Sequence, residues 1–267
     1  MMKRAFLMAC LMALTASGYS LADGASLKGQ FIYDGTPPVA KELPAQPKEK
    51  ADCGDPNLKV MDESLVVDST TKGLANVIVY LSPAAGGKKP AAPAGNDKVK
   101  AAAIVFDNKL LRFEPHVLVV QTGQKVEVSN SDKIGHNTKI DFSGVSGNPA
   151  SNDSLAAGAK ISKTYAKEER IPAGVSCTIH PYMKSYILVR DNPYFAVADK
   201  EGHFEIKDLP DGEWQFTVWQ EKAGYLQKVK VGGKDVTWAK GKLTQKIAGK
   251  PVDLGKIMVS EENFKGK

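Results

Sequence analysis

The chain has 267 residues, 42% of them hydrophobic and 25% charged, with a formal net charge of +6. That is long enough for one large or two modest domains and ordinary for a folded globular protein, which excludes a disordered or fibrous chain. The lysines that dominate the positive charge are spread along the sequence, without the compact basic patch or recognisable module that nucleic-acid binding requires.

The first residues read as a targeting segment. "MMKR" is a short basic start, and "AFLMACLMALTASGY" is an apolar run too short for a membrane span. "SLA", ending at Ala22, places small residues where a signal peptidase reads. The expectation is a cleaved signal over 1–22 and a secreted or periplasmic protein. A lipoprotein would instead use Cys10, but few apolar residues precede it and the run continues past it. Cleavage after Ala22 removes Lys3 and Arg4 and lowers the formal charge from +6 to +4. No later segment is apolar enough over its length to cross a bilayer, so no transmembrane segment is expected.

Downstream, "LKGQFIYDG" (27–35) reads as a strand and turn. The Pro- and Lys-rich "TPPVAKELPAQPKEKADCGDPN" (36–57) reads as an extended surface connection. "ESLVVD" (63–68) and "ANVIVYL" (75–81) have strand composition. "SPAAGGKKPAAPAGNDK" (82–98) reads as a long exposed loop. "HVLVV" (116–120), the turn "QTGQK" and "VEVSN" (126–130) suggest a hairpin. "SGVSGNPASNDSLAAGAK" (143–160) reads as another loop, and "ISKTYA" and "SYILVRD" as strands. After Asp191 the pattern alternates cleanly. Phe204 and Ile206 share one face, Trp214, Phe216 and Val218 another, with the turn "LPDGE" between them. No helical period persists over a dozen residues. The chain is therefore expected to be all-β and sandwich-like.

One stretch carries chemistry. "GVSCTIHPYMKSYILV" (174–189) holds Cys177, His180 and Met183 at three-residue spacing, before an apolar strand. A thiolate, an imidazole and a thioether on one tight loop are three of the four donors of a blue copper site. Soft sulfur favours Cu(I), imidazole accommodates Cu(II), and a compromise geometry keeps reorganisation small. The second imidazole must come from a distant strand end, and "NSDKIGHNTKI" supplies His136 after the strand "VEVSN". The candidate set is His136, Cys177, His180 and Met183, holding one type 1 copper.

"CTIHPYMKSYILV" resembles the copper loop of cupredoxins, with spacing closest to that of amicyanin. "GHN" at 135–137 is similar to the first-histidine motif of azurin and amicyanin, and "FEPHVLVVQTGQKVEVSNSD" resembles the strand pair leading to it. The resemblance covers about 104–190 and implies a Greek-key cupredoxin β-sandwich with copper at one end. By match, His136, Cys177 and His180 would be equatorial ligands and Met183 axial. Gly135 would offer a weak carbonyl contact. Asn137 and Thr178 would tie the two ligand loops together. The family also presents the edge of the second histidine at the surface, which would make Pro181 and Tyr182 part of an electron-transfer patch.

The segments on either side add strands. Residues after 195 resemble carboxypeptidase regulatory-like, transthyretin-type β modules, and "GQFIYDG" and "GLANVIVYL" faintly resemble pieces of the same type. The expected division is 1–22 signal, 23–103 N-terminal β segment, 104–190 copper domain and 191–267 β module.

The other residues with chemical potential have plainer readings. Cys53 and Cys177 could pair as a disulfide in a secreted protein, which would destroy the copper site. Otherwise Cys53 is an unpaired thiol whose state the sequence leaves open. His116 reads as structural or exposed, His203 as solvent-facing. Met61 and Met258 read as core or surface fillers. Trp214, Trp219 and Trp238 read as packing residues.

Three functions follow: a one-electron carrier between redox partners, a copper chaperone or store, and a cell-envelope β-sandwich binding protein without redox role. The closed donor set favours the carrier, and the exposed Met-rich or His-rich tracts of a chaperone are absent. An enzyme is not expected. Four histidines in all are too few for a second catalytic copper cluster, the loop has one cysteine where a binuclear centre needs two, and no "GxSxG" occurs. The lysine excess points to an acidic redox protein as partner.

Overall fold

The computed structural model describes residues 25–82 and 90–265. The expected signal over 1–22, with Cys10, and the middle of the 82–98 loop lie outside the described residues. Among the described residues the architecture is all-β: four sheets, with two six-residue α-helices, Pro47–Asp52 and Asn96–Ala101, and two 3-10 turns.

Two sheets build the copper-loop half. One runs in the order Val117–Gln121, Lys184–Arg190, Ala173–Ser176, His136–Asp141, Ser151–Leu155. The facing sheet runs Arg112–Glu114, Ile104–Lys109, Val126–Asn130, Lys160–Lys163. Leu118, Val120, Ile187 and Val189 from the first sheet meet Phe106, Val126 and Val128 from the second in one core. This is a multi-sheet sandwich consistent with a Greek-key, cupredoxin-like fold.

The strand "HVLVV" does not form a hairpin with "VEVSN". Val117–Gln121 runs parallel to Lys184–Arg190, while Val126–Asn130 pairs with Ile104–Lys109 and Lys160–Lys163 across the sandwich. The turn between them crosses from sheet to sheet, because Leu118 and Val126 must face each other across the core. The unbroken apolar run has a matching cause. Alternate residues Val117 and Val119, with Leu188, point away from that core and pack on Ile78, Tyr80 and Trp219. Strands covered on both faces need no polar alternation.

The second half draws strands from both sides of the copper-loop half. Leu27–Asp34 lies parallel to Val252–Ser260, with Leu27 opposite Val252 and Phe31 opposite Ile257. The same strand pairs antiparallel with His203–Ile206. In the facing sheet Gly212–Gln220 lies between Ile78–Leu81 and Lys242–Ile247. Phe204, Ile206, Trp214, Phe216 and Val218 share its core with Leu27, Phe31 and Val79, so the two alternating faces read from the sequence are buried as expected.

Three stretches differ from their sequence reading. Residues 36–57 contain the helix Pro47–Asp52, which buries no residue and so shows no apolar stripe. It begins with Pro47 at the first turn, and Gln46 N–H donates to the Glu49 carboxylate at 2.8 Å. Residues 143–160 contain the strand Ser151–Leu155, paired with His136–Asp141; its polar composition hides it, since only Leu155 is buried. "ESLVVD" forms only an isolated bridge, Val67 to Leu74.

Candidate metal centre

The sheet order places the ligand-bearing residues. Ala173–Ser176 pairs with Lys184–Arg190 so that Ser176 faces Lys184, which makes 177–183 the closed end of a hairpin. Its throat is held by Cys177 N–H to Met183 C=O at 3.3 Å and Met183 N–H to His180 C=O at 2.9 Å. On the other side of Ala173–Ser176 lies His136–Asp141, with Ser176 facing Lys139, so His136 sits at the same end of the sheet.

Three donor side chains gather there. His136 and Cys177 are each 1% exposed and His180 is 4% exposed, and Met183, three residues on in the same loop, is buried in the same core cluster as Cys177. The Nδ1 atoms of His136 and His180 lie 3.0 Å apart. The Cys177 Sγ is 3.7 Å from His180 Nδ1 and 4.0 Å from His136 Nδ1. A trigonal ion with bonds of about 2.0–2.3 Å needs donors separated by roughly 3.5–3.8 Å. Two nitrogens and one sulfur at these separations fit a soft ion without large movement.

Asn137 joins the two loops. Its Oδ1 accepts from Thr178 N–H at 2.8 Å, Thr178 Oγ1–H at 2.9 Å and Ile179 N–H at 3.3 Å, and the Cys177 thiol lies at 3.3 Å. Its Nδ2 donates to Asn152 Oδ1 at 2.5 Å. Gly135 precedes the strand, and a Cβ there would meet only the Leu155 carbonyl, at 3.9 Å, so space does not demand glycine.

Charge is organised around His136. Its Nε2 meets Asp132 Oδ2 at 2.9 Å. Burial opposes a charge on His136, but hydrogen bonds to Asp132 and Cys177 outweigh it and raise the pKa to about 9. Burial likewise pushes the Asp132 carboxyl up, and bonds from His136 and the N–H groups of Leu111 and Leu110 hold it below its ordinary value. Burial raises the Cys177 thiol, yet its bonds to His136 and nearby backbone N–H groups bring it below the usual thiol range. Burial, and then the charge on His136, lower His180. His136 is thus the imidazole that must give up a proton to a cation, while His180 is held neutral.

Sequence reasoning missed three contributors. Asp132 stands in the quoted "NSDKIGHN", four residues before His136, a spacing that carries meaning on a helix and none in a turn. Cys53 reaches the site from the Pro- and Lys-rich stretch. It is a free thiol, as is Cys177, so the disulfide reading is overturned. Burial first, and then the charge of Asp132 and a hydrogen bond to it, push the Cys53 thiol up to about 12. Cys53, Asp132 and His136 form a second cluster with one ligand atom each within 4.8 Å of the others, the same closeness found for His136, Cys177 and His180. The third contributor is Glu49.

The surface around the loop also departs from expectation. Pro181 is exposed and Ile179 is 57% exposed, but the His180 edge is not open. Glu49 Oε1 lies 3.8 Å from His180 Nε2, and the half-buried Tyr182 donates its hydroxyl to Glu49 Oε2 at 2.9 Å. His116 is buried against Glu221 and Glu63, away from the ligands, and His203 is exposed. Trp214, Trp219 and Trp238 are all buried. No helix among the described residues is long and apolar enough to cross a membrane.

Residues 99–190 match the family model of copper binding proteins, the plastocyanin/azurin family. No curated protein matches the chain. Among solved structures, the copper-containing nitrite reductase (NirK) from Thermus scotoductus SA-01 is 25% identical with a TM-score of 0.30, over 40% of this chain and 25% of that one, so the likeness spans a quarter of the reductase. The reduced Cu(I) form of an amicyanin variant at pH 4 is 25% identical with a TM-score of 0.30, over 38% of this chain and 92% of that one. The family match and the two facing sheets at the same residues identify a cupredoxin-like β domain in this chain, with a candidate metal-binding site at its closed end.

Proposed function

We propose that the protein carries single electrons through one type 1 copper, which His136, Cys177, His180 and Met183 would hold. The observation that carries this reading is the convergence of two Nδ1 atoms and one thiol sulfur, 3.0–4.0 Å apart, in a buried pocket. Copper bound there would supply the one-electron couple. The chain's own residues do the rest. Asn137 fixes the two loops, Asp132 orients His136, and burial of all four donors excludes water, so the ligand set need not rearrange between oxidation states. A set closed in this way leaves no position for substrate, which favours a carrier over an enzyme. A redox protein of acidic surface is the proposed partner, and export by the leader over 1–22 the proposed route to a secreted or periplasmic location.

The test is to add Cu(II) to the chain lacking 1–22. An intense blue absorption at one copper per chain, lost in Cys177→Ser, is the expected result, because that colour arises from the thiolate–copper bond. A colourless complex, or one in which azide changes the spectrum, overturns the reading.

A further inference from the structure

The stretch around Glu49 belongs to neither sandwich. Residues 42–61 leave and return at one point, where Glu42 bridges Met61, Leu43 N–H donates to Val60 C=O at 2.7 Å and Asp62 N–H to Lys41 C=O at 2.8 Å. No strand of any sheet lies within it. Its shape is that of a compact loop with pinned ends. The loop lies across the end of the cupredoxin-like half through a small apolar cluster, in which Ala45, Cys53 and Val60 meet Leu111, with Ile134 and Tyr182 at the margin.

The packing beneath it is incomplete. A cavity of about 250 Å³ lies between Leu43 and Val60 on the loop side and Pro181, Tyr182 and Met183 on the other. Against this loose underside stands one polar anchor over the metal loop. Glu49 is aimed by the Gln46 N–H behind it, takes the Tyr182 hydroxyl, and sets its other oxygen beside His180 Nε2. His180 is 4% exposed, and Glu49 of this loop is the carboxylate that stands over its Nε2. A segment with pinned ends, one small apolar cluster and two hydrogen bonds to carboxylates, Tyr182 to Glu49 and Cys53 to Asp132, is the kind that opens locally without unfolding the domain.

We propose that residues 42–61 are a built-in cover that closes the His180 edge, with Glu49 bonded to Tyr182 as its latch. Its second half rests on the electron-carrier reading: exchange with a protein partner at this edge requires the cover to open, so the latch decides which partners reach the centre. A small reductant does not need that edge, whereas a protein does.

The first half is tested in the full, metal-free chain, so it does not depend on copper. Diethyl pyrocarbonate labels accessible imidazoles, and mass spectrometry of peptides reads His180 against the exposed His203 in the same molecule. His180 should label at least about tenfold more slowly than His203 in the unaltered chain. Glu49→Ala and Tyr182→Phe should each speed His180 labelling about tenfold, the factor to which 1.4 kcal/mol corresponds, with His203 unchanged. Tyr182→Phe removes one oxygen only and decides the matter if Glu49→Ala does not fold. Labelling of His180 as fast as His203 in the unaltered chain overturns the cover, and labelling unmoved in Tyr182→Phe overturns the latch. The second half is read in the copper-loaded chain, with ascorbate and a reduced c-type cytochrome as donors. Tyr182→Phe should raise the ratio of the cytochrome rate to the ascorbate rate about tenfold. Faster labelling with an unchanged ratio overturns the gating role alone, and a colourless copper complex overturns the carrier reading while leaving the cover intact.

Discussion

His136 uses both ring nitrogens, and each answers to a different part of the chain. Nδ1 faces His180 and Cys177, while Nε2 is held by Asp132, which also takes the N–H groups of Leu110 at 2.6 Å and Leu111 at 3.0 Å. A carboxylate on the far nitrogen fixes the tautomer and raises the basicity of the near one. Asp132→Ala should therefore weaken copper binding about 10–100-fold, measured by competition with a chelator. Unchanged affinity would show that the sheet alone orients the ring. The thiol of Cys53 leans on the same carboxylate, and its high pKa keeps it protonated, which leaves Cys177 as the sulfur ready for a metal.

At the scale of elements, His116 fastens three separate stretches. It precedes the strand Val117–Gln121. Its Nε2 meets Glu221 Oε2 at 2.6 Å, just past Gly212–Gln220, and its Nδ1 lies 3.5 Å from Glu63 Oε2, with Arg112 3.7 Å from the other Glu63 oxygen. Burial opposes the charge on His116, but the bond to Glu221 and the nearby charge of Glu63 outweigh it and raise the pKa from 6.5 to about 9. A pKa raised by folding gives stability that is full below the unfolded value and lost as pH rises through the folded one. His116→Gln should thus cost on the order of 2–3 kcal/mol near pH 6, and the deficit should shrink towards zero by pH 10. Urea unfolding at both pH values checks this. A deficit independent of pH would mean that the imidazole acts by shape and not by charge.

The whole molecule is two sandwiches sharing a wall. Val117, Val119 and Leu188 on one side meet Ile78, Tyr80 and Trp219 on the other. The fully buried Arg190 crosses the junction: it donates to the carbonyls of Glu169 and Leu81, at 2.8 Å each, pairs with Glu168 and lies 4.8 Å from the centre of the Tyr80 ring. Residues 99–190 made alone would bare three aliphatic side chains, each worth about 1.5–3 kcal/mol of burial. That fragment should self-associate in light scattering, and Val119→Lys with Leu188→Lys in the fragment should restore a monomer. A monomeric unaltered fragment would show that the wall is not needed to keep the copper-loop half apart.

The sequence by itself determined the strand-rich class, the two alternating faces after Asp191, and the grouping of Cys177, His180 and Met183. These are local properties: side-chain period and the spacing of donors on one short loop survive without knowledge of the partner strands. His136 was legible because it follows a strand and carries its own motif. What lay outside the reach of the sequence depends on contacts between distant residues. The parallel pairing of Leu27–Asp34 with Val252–Ser260, more than two hundred residues on, leaves no local trace. Nor does the crossing of "HVLVV" and "VEVSN" to opposite sheets, since both arrangements use the same apolar residues. Cys53 and Glu49 reach the site from a stretch whose composition reads as solvent-exposed chain, and the closing of the His180 edge follows from where that stretch comes to rest. Donor identity is written in the loop, but burial, and with it access to the donors, is decided only when the rest of the chain packs against it.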